Sequence, residues 1–200
     1  MPDVKHFEPD AALETVLRLF WQQGVASTGI QDVVAATGLN RSSLYATFGG
    51  KQELYLAALR SYLEHRSQPM FHQLAEDERG LPAVEEFFAD LIKARCSGEY
   101  ARWGCMVSNA HAGAENRDEE VARILDQHHR GLRDALRAAL VTAQARGQLA
   151  DSADPVAAAD VLALVAYGVN LRSRAGASAR SLKHSVSTVL ESIGAPAPAA

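Results

Sequence analysis

Apolar residues recur at helical spacing along almost the whole chain, from residue 10 to residue 193, while alternating strand patterns and hairpin dipeptides are absent. A chain patterned this way buries its apolar stripes by packing helix on helix, so an all-α fold is expected. The first helix begins near Asp10 and ends at Gly24, with Leu13, Val16, Leu17 and Phe20 on one face. Two short helices follow, Ile30 to Gly38 and Arg41 to Phe48, the second stopped by Gly49 and Gly50. Lys51 opens a long amphipathic helix that fades near Pro69. Pro82 opens the next, since proline suits a first turn. Gly98 and Gly104 bracket a connector, and a brief helix starts near Cys105. The charged run Arg117 to Glu120 leads into a long helix ending at Gly147. Asp154 and Pro155 start an alanine-rich helix that reaches Arg172, and a last helix carries Leu182 to Ile193.

The chain has 200 residues, 48% apolar and 22% charged, which rules out a wholly disordered protein. A net charge of -4 excludes a globally basic nucleic-acid coat but not a local basic site. Two cysteines, Cys96 and Cys105, are too few for a disulfide-stapled secreted scaffold. The N-terminal run MPDVKHFEPDAALE has no apolar signal core, and the longest apolar stretches are broken by charge short of a membrane span. A soluble, cytoplasmic protein with no membrane partner is expected.

The segment from Thr28 to Lys51, TGIQDVVAATGLNRSSLYATFGGK, is the most informative. Its two short helices are separated by a tight turn at Gly38-Leu39-Asn40, where glycine supplies the positive φ of a sharp interhelical turn. Braced by the preceding helix, they make a helix-turn-helix. The second helix offers Arg41, Ser42, Ser43 and Thr47, small or basic groups suited to a major groove. Leu44 and Phe48 face back into a small core. Lys51 opens the following helix, where a cation opposes the helix dipole; a phosphate contact accounts for that placement. The first 66 residues carry seven acidic and six basic side chains, so binding depends on a fitted dimer and not on bulk attraction.

The run from Leu13 to Leu59 resembles the N-terminal DNA-binding domain of TetR-family transcriptional regulators. The residues that carry the resemblance are Phe20, Gly24, Thr28, Ile30, Asp32, Val33, Ala36 and Gly38, then Ser42 to Tyr45, Phe48, Lys51 and Leu54. The pattern Ser-Leu-Tyr-x-x-Phe-x-x-Lys is specific; Ala46 and Thr47 depart from the aromatic or histidine common after the tyrosine. The resemblance implies a repressor, a homodimer on a palindromic double-stranded operator, released by a small-molecule inducer. It implies a helix-turn-helix domain over residues 1–50, continuing into a linking helix 51–67. A helical ligand-binding and dimerisation domain over 51–194 and a disordered tail over 195–200 follow. By carry-over the DNA-facing candidates are Thr28, Asn40, Arg41, Ser42, Ser43, Tyr45, Thr47 and Lys51.

The helix from Pro155 to Arg172 is apolar nearly all round and must be covered on several sides, which suits a four-helix interface shared with the last helix of a second copy. The candidate ligand residues are Tyr62, Phe71, Phe87, Trp103, Met106, Asn109, Leu125, His128, Tyr167 and Asn170, a mostly apolar set suited to a moderately hydrophobic inducer. Cys105 follows Gly104 at a helix start, where thiol pKa values fall, and Arg102 is near in sequence. Trp103-Gly-Cys-Met-Val resembles a motif of one TetR subgroup that includes sensors of electrophiles or oxidants; a small buried residue filling a tight site is the other reading of Cys105. Cys96 is its candidate resolving partner. Neither a His-x3-His nor a Cys-x2-Cys pair occurs, so no metal is expected. With no nucleophile elbow or phosphate loop, neither an enzyme nor a cofactor is expected.

Overall fold

The computed structural model describes residues 8–195. Helix α1 (Pro9–Gln23) starts on a proline and buries Val16, Leu17, Phe20 and Trp21. Helices α2 (Ile30–Thr37) and α3 (Arg41–Phe48) are joined at Gly38, whose φ of 68° is the left-handed conformation that the turn requires. Asn40 caps α3 by accepting a bond from the Ser43 amide, which stops the helix from fraying on its N-terminal side. Helix α4 (Lys51–Tyr62) opens on a bond from the Gly50 amide to the Glu53 carboxylate.

The expected fading near Pro69 does not occur. A π-turn over Leu63–Ser67 carries the backbone directly into α5 (Gln68–Glu76), with Pro69 in its first turn, where the missing amide proton costs nothing. Helix α6 (Leu81–Cys96) leads to the glycine-bracketed connector and α7 (Met106–Ala112). Helix α8 (Glu119–Ala145) is capped by Asp118, and α9 (Pro155–Arg174) by Asp154. The last, α10 (Ala179–Ile193), packs back on α6 and α9. Among the described residues there is no sheet, only one antiparallel bridge between Leu149 and Gly194. The expected tail over 195–200 lies outside the described residues except for Ala195, whose amide donates to the Gln148 carbonyl at 2.8 Å.

Two apolar cores form. One joins α5, α6, the C-terminal half of α8, α9 and α10 around Phe88, Leu136, Leu140 and Leu162. The other contains Leu17, Phe20, Val33 and Leu44 of the first three helices and is completed by Leu54, Tyr55 and Leu59 of α4. It runs on without a break to Cys105, Met106, Val121 and Leu125. Residue 50 thus marks a turn in the chain and not a gap in the packing. Helix α9 keeps an exposed apolar stripe along one face, Val161, Leu164 and Leu171. It also corrects the expectation about membrane spans: with a mean hydropathy of 1.3 over 18 residues the helix is long and apolar enough by length and composition alone, because Asp160 and Arg172 are too few to interrupt the window. The apolar excess is that exposed stripe added to a face packed in the core.

Candidate functional site

The first three helices present a polar face. Arg41, Ser42 and Thr47 of α3 are exposed, Ser43 and Tyr45 are half-buried, and Leu44 is buried behind them, so the 3.6-residue period sorts reading groups from core groups. The Arg41 guanidinium lies 5.1 Å from the centre of the Tyr45 ring, one turn away, which holds both side chains on one side of the helix. Asn40 is exposed, but its carboxamide oxygen is taken by the Ser43 amide at 2.8 Å and by the Ser42 hydroxyl at 2.6 Å; its amide nitrogen faces outward uncommitted among the described residues. Lys51 sits at the first position of α4, two glycines after the C-terminal end of α3. Thr28 does not join them. It is fully buried, and its hydroxyl donates to the Gly24 carbonyl at 2.8 Å, closing the turn after α1.

The body holds a second cluster, centred on Cys105. The thiol is buried at the N-terminal end of α7 and lines a small cavity of about 30 Å³. Phe71, Phe87, Leu132, Arg95, His128 and Asn170 are among the residues that line it, and the Phe71 ring packs edge-on against the His128 ring with centres 5.1 Å apart. Arg95 donates from Nε to the Asn170 carboxamide oxygen at 2.6 Å and from Nη2 to the Tyr62 hydroxyl at 3.2 Å. Asn170 is oriented in turn by donating to the Ala166 carbonyl at 2.9 Å. Burial pushes the Cys105 thiol up. The hydrogen bond and charge of His128 pull it down, helped by the Arg95 guanidinium and the Tyr62 hydroxyl, and together they outweigh burial and bring it to about 6. Arg95 supplies the charge that sequence proximity assigned to Arg102, which is exposed, with a φ of 65° in the connector.

Of the sequence-named ligand residues, Phe71, Phe87, His128 and Asn170 line this cavity, and Tyr62 is held to it by Arg95. Tyr167 borders it: its hydroxyl is 3.5 Å from His128 Nδ1 and 3.4 Å from His111 Nε2. The other four are elsewhere. Met106 and Leu125 belong to the core shared with the first helices. Trp103 packs edge-on against Trp21 at 5.4 Å. Asn109 donates to the Trp103 carbonyl at 2.9 Å. Arg95 is the residue that sequence reasoning missed. Its signal was present: Phe88, Leu91, Ile92 and Arg95 follow the apolar spacing of α6, so the arginine occupies a position on the buried face.

The connector before Cys105 is tied to the end of α1. Trp21 Nε1 donates to the Gly104 carbonyl at 3.0 Å. Arg174, the last residue of α9, donates to the carbonyls of Trp103 at 2.7 Å, Gln22 at 3.0 Å and Trp21 at 3.3 Å. Orphan carbonyls at the end of α1 and the peptide preceding Cys105 thus share one guanidinium. Gly104 makes room for this: at its φ of 69° a Cβ would lie 2.9 Å from Asn109 Oδ1 and 3.1 Å from the Asn170 carbonyl.

Known proteins share this fold. The family model described as bacterial regulatory proteins, tetR family, matches residues 12–58, and one for the tetracyclin repressor-like C-terminal domain matches residues 80–189. The HTH-type transcriptional repressor ComR of Escherichia coli (strain K12) is 30% identical over 187 residues, covering 93% of this chain and 89% of ComR. Among solved structures, a cysteine mutant of the TetR family regulator CifR, complexed with 26-base-pair operator DNA, superposes with a TM-score of 0.83 at 24% identity, over 94% of this chain and 98% of that one. The reduced form of NemR from E. coli does so with a TM-score of 0.81 at 21% identity, over 94% and 97%.

Proposed function

The chain belongs to the tetR family of bacterial regulatory proteins and is a DNA-binding transcriptional regulator, and from there we propose that it is a cytoplasmic homodimeric repressor whose release from DNA is triggered at Cys105. Two heads, one per protomer, read the half-sites of a palindromic operator. Arg41, Ser42, Ser43 and Thr47 face the bases of a major groove, while Tyr45 and Lys51 hold phosphate. Asn40 contributes its free amide nitrogen. Thr28 shapes the head without touching DNA. The stripe Val161, Leu164 and Leu171 of α9 is the seam between protomers, and α10 flanks it with the small side chains Ser181, Ser185 and Thr188.

One observation carries the trigger: an activated thiol faces a cavity of about 30 Å³. That space holds a water or two, by the rule of roughly 10–15 Å³ for one. A moderately hydrophobic inducer of ordinary size needs about 300 Å³ or more, so it enters only if the cavity opens by an order of magnitude. Covalent change at the sulfur needs no such opening.

Titration of the upstream intergenic duplex against random duplex, at two salt concentrations, tests the DNA reading. Specific binding about a thousandfold tighter is expected; equal affinities refute it. Peroxide or diamide is then added to the complex. The wild type releases DNA and Cys105→Ser stays bound; release of the serine variant removes Cys105 as the trigger.

A further inference from the structure

A second opening lies where the first helices join the body. It is a cleft of about 260 Å³, near the lower end of small-molecule sites at roughly 300 Å³. Phe20 and the turn after α1 wall it from one side of the joint, Met106 and Leu171 from the other. The last residues of three helices line it: Gln23 of α1, Ala112 of α7 and Arg174 of α9. A helix C-terminus carries up to about half a negative charge, so three of them meeting at one space make it negative. Arg174 answers part of that field, and its guanidinium is taken by the carbonyls of Trp21, Gln22 and Trp103. Glu115 adds a carboxylate to the lining and makes no ion pair among the described residues. That carboxylate folds over Gly113, in space that a Cβ there would fill.

Tyr55 of α4 points to an occupant independently. It is only 3% exposed and lines the cleft, yet its hydroxyl has no hydrogen-bond partner among the described residues. A phenol hidden to that degree normally finds one. Burial, and then the charge of Glu115, push the hydroxyl above its ordinary 10.0, so it stays neutral and keeps a lone pair for an N–H donor.

We propose that this cleft is a binding site for a small organic ammonium ion, a protonated amine carrying an apolar body about the size of one aromatic ring. The ammonium donates to the Glu115 carboxylate and to the Tyr55 hydroxyl, and the body lies against Phe20, Met106 and Leu171. A carboxylate ligand of the same shape meets the same field with the wrong sign, and a neutral alcohol gains nothing from it. The cleft shares no lining residue with the Cys105 cavity, so the site does not depend on the reading of Cys105 as the trigger.

The test titrates three probes of one shape and different charge into the full-length dimer by calorimetry: 2-phenylethylamine, 2-phenylethanol and 3-phenylpropionate. At about pH 7.5 the amine is protonated. It is expected to bind once per chain, at least about tenfold tighter than the alcohol, the factor that a charge-assisted hydrogen bond supplies, and the propionate is expected not to bind. Glu115→Gln keeps the shape and is expected to weaken the amine about tenfold while changing the alcohol less than about twofold. Gly113→Ala, at a backbone φ of -91° that suits alanine, displaces the carboxylate and weakens the amine in the same way. Tyr55→Phe removes only the hydroxyl and is expected to cost the amine roughly fivefold. Cys105→Ser binds it as the wild type does. Equal affinity for amine and alcohol, an amine affinity in Glu115→Gln within about twofold of wild type, or no amine binding below about 10 mM overturns the assignment. Weakening by Cys105→Ser with Glu115→Gln unaffected moves the amine to the other cavity and overturns it too.

Discussion

At the residue scale, the sharpest consequence is a pH dependence. Cys105 is brought from an ordinary 9.0 to about 6, against the upward push of burial, by groups on three helices: His128 on α8, Arg95 on α6 and Tyr62 on α4. Its alkylation rate is therefore expected to rise through about pH 6 and to be flat by pH 8, where an ordinary thiol is still gaining. The sign for stability follows. The folded state favours the thiolate, so between about pH 6 and 8.5 the unfolded chain binds one more proton and stability rises with pH. That contribution is complete above the unfolded value and is lost as pH falls through 6. Urea midpoints of the wild type and Cys105→Ser, compared across this window, should diverge as pH rises; parallel curves refute the depressed thiol. Arg95→Met leaves the Asn170 oxygen without its donor, at a cost of about 1–3 kcal/mol. Adding Asn170→Leu is expected to recover part of that loss, since the orphaned acceptor goes too.

At the scale of elements, Arg174 joins three carbonyls from two segments with the end of α9. Arg174→Gln cannot bridge them, and operator affinity is expected to fall by about tenfold, while binding to random duplex is unchanged because the reading face is intact. Arg174→Lys is expected to fail similarly, as one ammonium lacks the fork. Restoration by lysine would reduce the contact to a charge at the end of α1. Elements are also where the sequence was most readable. Gly24, Gly38 and Gly147 stop helices, and Asp118 and Asp154 cap them, all through local chemistry that needs no partner. Pro69 misled for a physical reason: the π-turn before it adds a residue, so the chain stays helical where a regular helix ends. The DNA face was legible because α3 is short and amphipathic. Thr28 was not, since a buried threonine that bonds its own turn looks the same in sequence as an exposed one. The cavity was half legible, as its rings and histidine lie on periodic faces. Its key cation sat in an apolar register, where a charge reads as a break in the pattern.

At the scale of the molecule, the exposed stripe on α9 decides the assembly. Leu164 is 66% exposed and Val161 50%, on a helix otherwise packed by alanine and leucine. Leu164→Glu places a charge in the middle of the seam and is expected to give a monomer by sedimentation velocity, with helical content retained. The monomer keeps its weak binding to random duplex and loses operator binding, since one head makes half the contacts. Dimerisation at wild-type strength would move the seam to another face.

The junction at the end of α1 has an optical consequence. Both tryptophans of the chain, Trp21 and Trp103, lie there with rings 5.4 Å apart, and the guanidinium of Arg66 stands 5.4 Å from the Trp21 ring. Indole emission responds to nearby charge and to water, so the tryptophan emission of this protein, excited beyond the tyrosine band, reports from the contact between the end of α1 and the connector before Cys105. Oxidation of Cys105 that shifts the head changes that emission without any added dye. A spectrum that stays constant while DNA is released places the motion in the other joint, the π-turn of the linking helix.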